Sequence, residues 1–298
     1  MKHDMNHSPI RAFTHRKFLI ITMLATAVAG LLCPVPSARG GVVVLGELAR
    51  DHKLRPGQTQ EATIELENRD ASPRTVRIYQ SDYRYLANGE SFFPAPGSTE
   101  RSNARWLTFS PKVLTIPPSQ KSQVRYLLRA PVDRSKTGTY WSMMMIQEIP
   151  DPSTGKAGGQ EGTAAPPSAA SRYGVQIITQ LADTGRIGIE FTSATIESRN
   201  SKRMLTIDIE NRGSRVARPE MWLEVFTDSG HKAGRFLTDK GTILPGCGVR
   251  REIDITSLAK GSYNSLFIAD CGKDVYGLEI KLVLDGEAEG KQLRVLRN

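Results

Sequence analysis

Histidine and cysteine are scarce in this 298-residue chain, with five of the first and three of the second. Beyond residue 40 only His52, His231, Cys247 and Cys271 are left. A histidine-based metal site or a Ser/His/Asp triad needs such residues in company, and His52 and His231 stand far apart in polar, turn-rich settings. Both read as surface histidines. Cys247 lies in a Pro-Gly-Cys-Gly turn with no base nearby, a poor setting for a nucleophilic thiol. A phosphate-binding loop, a dinucleotide fingerprint and a G-x-S-x-G elbow are missing. The chain reads as a non-enzyme without cofactor or metal. Its isoelectric point near 9.5 comes without any Lys/Arg block interleaved with aromatics, so nucleic acid is not an expected partner.

Long apolar runs are equally rare. The one example spans residues 18–35, follows Arg11, Arg16 and Lys17, and precedes the small residues of Ser37-Ala38-Arg39-Gly40. That is the order of a secretory signal, and residues 1–40 are expected to be one, cut after Gly40 or, as second choice, after Ala38. The alternative is an uncleaved anchor, since 18 apolar residues just span a bilayer. Membrane contact is expected only through this segment, and only if it is left uncleaved. Cys33 follows Leu31-Leu32 rather than small residues, which argues against a lipid-anchored product. Loss of five Lys/Arg and one Asp with the segment lowers the net charge from +9 to about +5. The expected location is the periplasm or the exterior. There, Cys247 and Cys271 form a candidate disulfide if residues 249–256 and 263–270 pair as a hairpin, the alternative being two separate thiols.

Apolar residues alternate with polar ones in short segments bounded by turns, and almost nowhere recur at helical spacing. Thr63-Ile64-Glu65-Leu66-Glu67 is one such segment, and Asn88-Gly89 after Tyr83-Arg84-Tyr85-Leu86 is a hairpin signal. Three pieces recur in the same order. TIELENR (63–69) returns as TIDIENR (206–212), TIPP (115–118) as TILPG (242–246), and TGTYWS (137–142) as KGSYNS (260–265). Ordered recurrence points to duplication of one module. The expected fold is all-β: two tandem immunoglobulin-like β-sandwich domains, 41–185 and 186–298. The recurring Asn is expected to bond the backbone of the turn after it, and Tyr140 and Tyr263 to act as tyrosine corners.

The stretch TYWSMMMIQEIP (139–150) puts Tyr140, Ser142, Met144 and Ile146 on one strand face and Trp141, Met143, Met145 and Gln147 on the other. Apolar residues on both faces imply burial on both sides, or a contact surface beyond the module's own core. Residues 151–171 then turn to Gly, Ala, Ser and Pro and are expected to form a flexible loop. Alternation resumes at RYGVQIITQLAD, with Tyr173, Val175, Ile177, Thr179 and Leu181 facing one way.

Residues 42–185 resemble the N-terminal domain of the periplasmic chaperones of the chaperone–usher pilus pathway. FSPKVLTIPPSQKSQVRYLLRAP (109–131) is similar to that family's apolar stretch, proline-marked turn and Val-Arg strand, and MMIQEIP (144–150) to its sixth strand. The second module fits the family in length and position only. The resemblance implies a protein guest, a pilus-like or surface subunit whose incomplete groove is filled by alternate side chains of the chaperone's seventh strand. The inserting residues would be Tyr173, Val175, Ile177 and Leu181, with Thr179 on the same face. The family holds the guest's terminal carboxylate with two basic residues. Arg50, Lys53 or Arg55 would supply the first, but residues 173–182 contain no lysine, and Arg172 only flanks them. The competing expectation is an envelope or cell-surface adhesion module presenting loops and exposed aromatics at Trp106, Trp141 and Trp222.

Overall fold

The computed structural model describes residues 41–150 and 171–284. The expected signal segment and nearly all of the expected loop lie outside them. Eighteen strands and one 3₁₀ turn at Ala104–Trp106 make up the described elements. The first eleven are β1 (Val42–Val44), β2 (Ala49–Leu54), β3 (Thr59–Asn68), β4 (Arg74–Ser81), β5 (Arg84–Tyr85), β6 (Ser91–Phe92), β7 (Leu107–Ser110), β8 (Val113–Ile116), β9 (Lys121–Arg129), β10 (Gly138–Ile149) and β11 (Arg172–Leu181). They form a sheet of order β1-β3-β9-β7 facing one of order β2-β11-β10-β4-β8, with β5 and β6 as a separate hairpin. Ile64, Leu66, Val76, Val124, Leu128, Met144, Val175 and Ile177, from both sheets, fill the space between them. Strand β1 pairs with β3 and strand β2 with β11, so the chain crosses from one sheet to the other between Val44 and Ala49.

The other seven strands are β12 (Ile189–Arg199), β13 (Lys202–Asn211), β14 (Glu220–Thr227), β15 (Lys232–Leu237), β16 (Gly248–Asp254), β17 (Gly261–Asp270) and β18 (Val275–Leu284). Their sheets have the orders β12-β13-β16 and β15-β14-β17-β18, and a second core containing Leu205, Ile207, Leu223, Phe267 and Ile280 lies between them. The fold is two immunoglobulin-like β-sandwiches.

The repeated peptides do matching work. Asn68 and Asn211 end β3 and β13 and are fully buried. The Asn68 amide donates to the Ser72, Ile116 and Pro117 carbonyls, while its oxygen accepts from the Asp70 N–H. The Asn211 amide donates to the Arg215 and Ile243 carbonyls, and its oxygen accepts from the Gly213 N–H. Each asparagine therefore ties its own turn to the proline-marked corner of the next repeated peptide. A buried amide satisfied at both ends in this way fixes loop and strand together.

Several expectations are corrected. Tyr263 is a tyrosine corner, its hydroxyl donating to the Ala259 carbonyl at 3.1 Å. Tyr140 is not; its ring stacks at 4.6 Å on Trp106 and lies beneath the Arg101 guanidinium. The candidate disulfide is not formed. β16 and β17 follow one another in sequence but belong to opposite sheets, so they make no hairpin, and Cys247 and Cys271 are free thiols. Burial pushes the Cys271 thiol up to about 11 and raises that of Cys247 as well. His231 is exposed as expected, but His52 is 6% exposed and its Nε2 lies 2.9 Å from the Tyr126 hydroxyl. The three tryptophans are not exposed: Trp141 is buried, and Trp106 and Trp222 are partly so.

Candidate functional site

The twelve-residue β10 is buried on both faces over most of its length, which settles the double-faced pattern of its sequence. Met144 and Ile146 enter the first core. On the opposite face Trp141 joins Ile178, Val216, Leu244 and Cys247 in a separate apolar cluster that links the two sandwiches. Hydrogen bonds surround this joint. The Trp141 indole donates to the Tyr83 carbonyl at 2.7 Å, the Tyr85 hydroxyl to the Thr242 carbonyl at 2.8 Å, and the Thr139 N–H to the Ser214 carbonyl at 2.8 Å. Gly138, at φ 82°, brings its backbone so near the Ser214 carbonyl that any Cβ would collide with it.

Strand β11 lies against this foundation. It pairs antiparallel with β10 along its whole length, from Gln147↔Arg172 to Gly138↔Leu181. On its other side β2 runs parallel to it, but only from Gln176↔Ala49 to Leu181↔Leu54. Among the described residues, Arg172, Tyr173, Gly174 and Val175 have no ladder partner on that side. The Glu148 N–H bonds the Ser171 carbonyl, and the Gln176 N–H bonds the Leu48 carbonyl at 2.7 Å. Odd-numbered residues of β11 thus direct their backbone groups to β10 and even-numbered ones to the other side, so Arg172 and Gly174 present theirs at an open edge. Leu48, 47% exposed, stands where β2 begins and the gap ends.

The sequence alternation of β11 is present, but the expected inserting face points inward. Val175 and Ile177 are fully buried and Leu181 nearly so, all in the first core, and the Thr179 hydroxyl accepts a hydrogen bond from Asn103. Tyr173, next to the gap, is half-buried. The outward face carries Gly174, Gln176, Ile178 and Gln180, and Ile178 is consumed by the joint. Gly174 has a local reason: a Cβ there would strike the Met143 methyl group. Sequence reasoning found the strand and missed which side of it is free. The signal was present in Tyr173-Gly174-Val175, where one glycine interrupts the outward row.

The four candidate basic residues are not brought to one point. Arg50 pairs across from Ile177 and Arg172 across from Gln147, five residues apart along β11 or roughly 16 Å. Arg50 donates to the Leu45 carbonyl at 3.1 Å and its Nε has no partner among the described residues. Lys53 is exposed and bound to Asp183 at 2.8 Å, which holds that carboxyl below the usual carboxylate range. Arg55 is exposed in the turn after β2. No group of His, Cys, Asp and Glu among the described residues is arranged to hold a metal, and no helix among them is long and apolar enough to cross a membrane.

No family model and no curated relative matches this sequence. Solved structures do. The chain is similar to the class 5 fimbriae chaperone CfaA (12% identity, 82% of this chain and 99% of that one, TM-score 0.44). It is similar to the YadV chaperone (15%, 81% and 99%, TM-score 0.40). It is also similar to a chain of the CsuC–CsuE chaperone–tip adhesion subunit pre-assembly complex from the archaic chaperone-usher Csu pili of Acinetobacter baumannii (13%, 80% and 97%, TM-score 0.41).

Proposed function

We propose that this chain is an exported chaperone or assembly factor that binds an extended segment of a pilus-like or surface subunit by β-strand addition, in the periplasm and without enzymatic activity. The observation that carries this reading is the open edge of β11 at Arg172–Val175. A border strand with outward N–H and C=O groups is a template for pairing with another chain. The edge is backed by β10, which is locked between β11 and β4, so a guest strand finds a rigid support and the core need not open. The guest gains backbone hydrogen bonds at Arg172 and Gly174 and meets the exposed Leu48 side chain. Val175, Ile177 and Leu181 act as the support's inner face rather than as inserted side chains. Arg172 is the basic residue placed to meet an acidic group of the guest, while Arg50, Lys53 and Arg55 stand beside the part of the edge that β2 already occupies.

Amide hydrogen exchange on the full chain, alone and with the client that copurifies from the envelope, tests the reading. Protection is expected to rise at the Arg172 and Gly174 amides and to stay level across β9. Arg172→Pro, which removes one outward donor and leaves the pairing to β10 in place, is expected to weaken client retention. Unchanged exchange at both amides in the complex would sink strand addition. Aspartate at Val175 or Ile177 is unsuitable as a test, because a charge at these fully buried positions unfolds the module.

A further inference from the structure

A cavity of about 550 Å³ opens between the two sandwiches, and none of its lining residues belongs to β2 or β11. Its walls include Arg84, Arg101 and Arg212, with Glu100 as the carboxylate among the lining residues. Arg212 is committed, paired with Glu190 at 3.1 Å and Glu210 at 2.6 Å. The other two are not. Arg101 is held in place by the Thr137 and Thr139 carbonyls, at 3.2 and 3.3 Å, and by the Tyr140 ring below it. The Arg84 guanidinium has one long contact, 3.5 Å to the Gly246 carbonyl. Neither forms an ion pair among the described residues.

We infer that this cavity is a binding site for a small multivalent anion, a di- or tricarboxylate or a phosphate ester. Guanidinium groups have fork-shaped donors that match carboxylate and phosphate oxygens, and a fixed fork loses little freedom on binding. Arg101 is already fixed by backbone and ring, and Arg84 supplies a second fork to the same lining. The volume falls within the usual range for small-ligand clefts and is far larger than a single ion needs. Trp141 forms part of the wall, so the same residue that joins the sandwiches would feel the ligand. An anion bridging Arg84 and Arg101 on the first sandwich and the Gly213 and Gly246 segments on the second would stiffen the joint between them.

The site does not depend on strand addition, and its test uses the purified full chain without client. Citrate and pyrophosphate are titrated separately by calorimetry and by tryptophan fluorescence. Saturable binding of at least one is expected, with the stronger of the two identifying carboxylate or phosphate chemistry. Arg84→Gln and Arg101→Gln should each weaken it about tenfold, while Arg125→Gln on β9 should leave it unchanged. Glu100→Gln should tighten it about threefold by removing a like charge, an effect that a merely structural role for the loop would not produce. Melting curves establish that each variant is folded; Arg84→Gln serves if Arg101→Gln is not. Absence of saturation by both probes up to ten millimolar would overturn the proposal. So would equal affinity in wild type and both arginine variants.

Discussion

In the second sandwich every outer strand carries charge: Glu190 and Glu197 on β12, Arg250 to Glu252 on β16, Lys232 and Arg235 on β15, and Glu279 and Lys281 on β18. Such side chains discourage pairing with a foreign strand. In the first sandwich β2 is charged in the same manner, with Arg50, Asp51 and Lys53, and it shields β11 over Gln176–Leu181. Before β2 begins, β11 leaves Arg172 to Val175 without a ladder partner on that side, with one charge there, at Arg172. Two copies of one module thus differ at their margins while sharing the asparagine clasp within. The shared part ties turn to strand in each sandwich, and the uncovered stretch of β11 is where their margins differ.

The largest expected effect falls on the joint between the two copies. Trp141→Ala removes the centre of the apolar joint and the indole bond to Tyr83, and should cost about 3–5 kcal/mol. By calorimetry the wild type should melt in one transition, and the variant in two as each sandwich unfolds alone. An unchanged single transition would mean that the joint is held elsewhere. Next, Asn68→Ala and Asn211→Ala each strand buried carbonyls and an N–H, for a loss of about 2–4 kcal/mol. Hydrogen exchange should place the first loss in β3 and β9 and the second in β13 and β16. Equal loosening of both sandwiches by either variant would contradict the idea of two separate clasps.

A smaller effect separates the copies through pH. His52 on β2 is buried against Tyr126 of β9, and burial lowers its pKa below the ordinary histidine value; burial likewise pushes the Tyr126 hydroxyl up to about 12. The unfolded chain therefore binds a proton at His52 more readily than the folded one. Stability from this residue is full above the unfolded value of about 6.5 and declines as pH falls from there toward the lower folded value. His231, exposed in the second sandwich, has no such burial. Urea unfolding between pH 7.5 and 5 should show acid weakening of the first sandwich, and His52→Gln should flatten it. An equal slope in that variant would assign the acid sensitivity to carboxylates.

The repeats were the most legible part of the molecule. TIELENR and TIDIENR carry the same buried asparagine, Asn68 and Asn211, because both copies solve one problem, a turn whose backbone needs internal partners. The margins were hard to read. Ala49-Arg50-Asp51-His52-Lys53-Leu54 looks like a polar connection, since only His52 and Leu54 are buried and the strand is recognised by its parallel partner far away in sequence. The same non-local pairing hid the burial of His52. The cysteine pair misled for a related reason: consecutive strands in a sandwich often cross between sheets, and adjacency in sequence does not say which. For β11 the alternation identified two faces, while only the tertiary structure shows that the richer face belongs to the core.

The smallest effect sharpens the account of how the copies are joined. The Arg218 guanidinium of the second sandwich meets the Asp51 carboxylate of β2 at 2.7 Å, with both side chains over 40% exposed. Exposed pairs of this sort contribute about 0.2–1 kcal/mol, and added salt screens them. A double-mutant cycle with Asp51→Asn and Arg218→Gln should therefore return a coupling below about 1 kcal/mol that shrinks further in molar salt. A salt-resistant coupling of about 2 kcal/mol or more would exceed what an exposed pair supplies. The joint would then be electrostatic as well as apolar, and β2, the strand that guards most of the β11 edge, would be pinned from the second sandwich. In that case loosening the joint with Trp141→Ala should also lengthen the open edge, read as faster amide exchange at Gln176 and Ile178, whereas a weak coupling leaves those amides to the pairing of β2 itself.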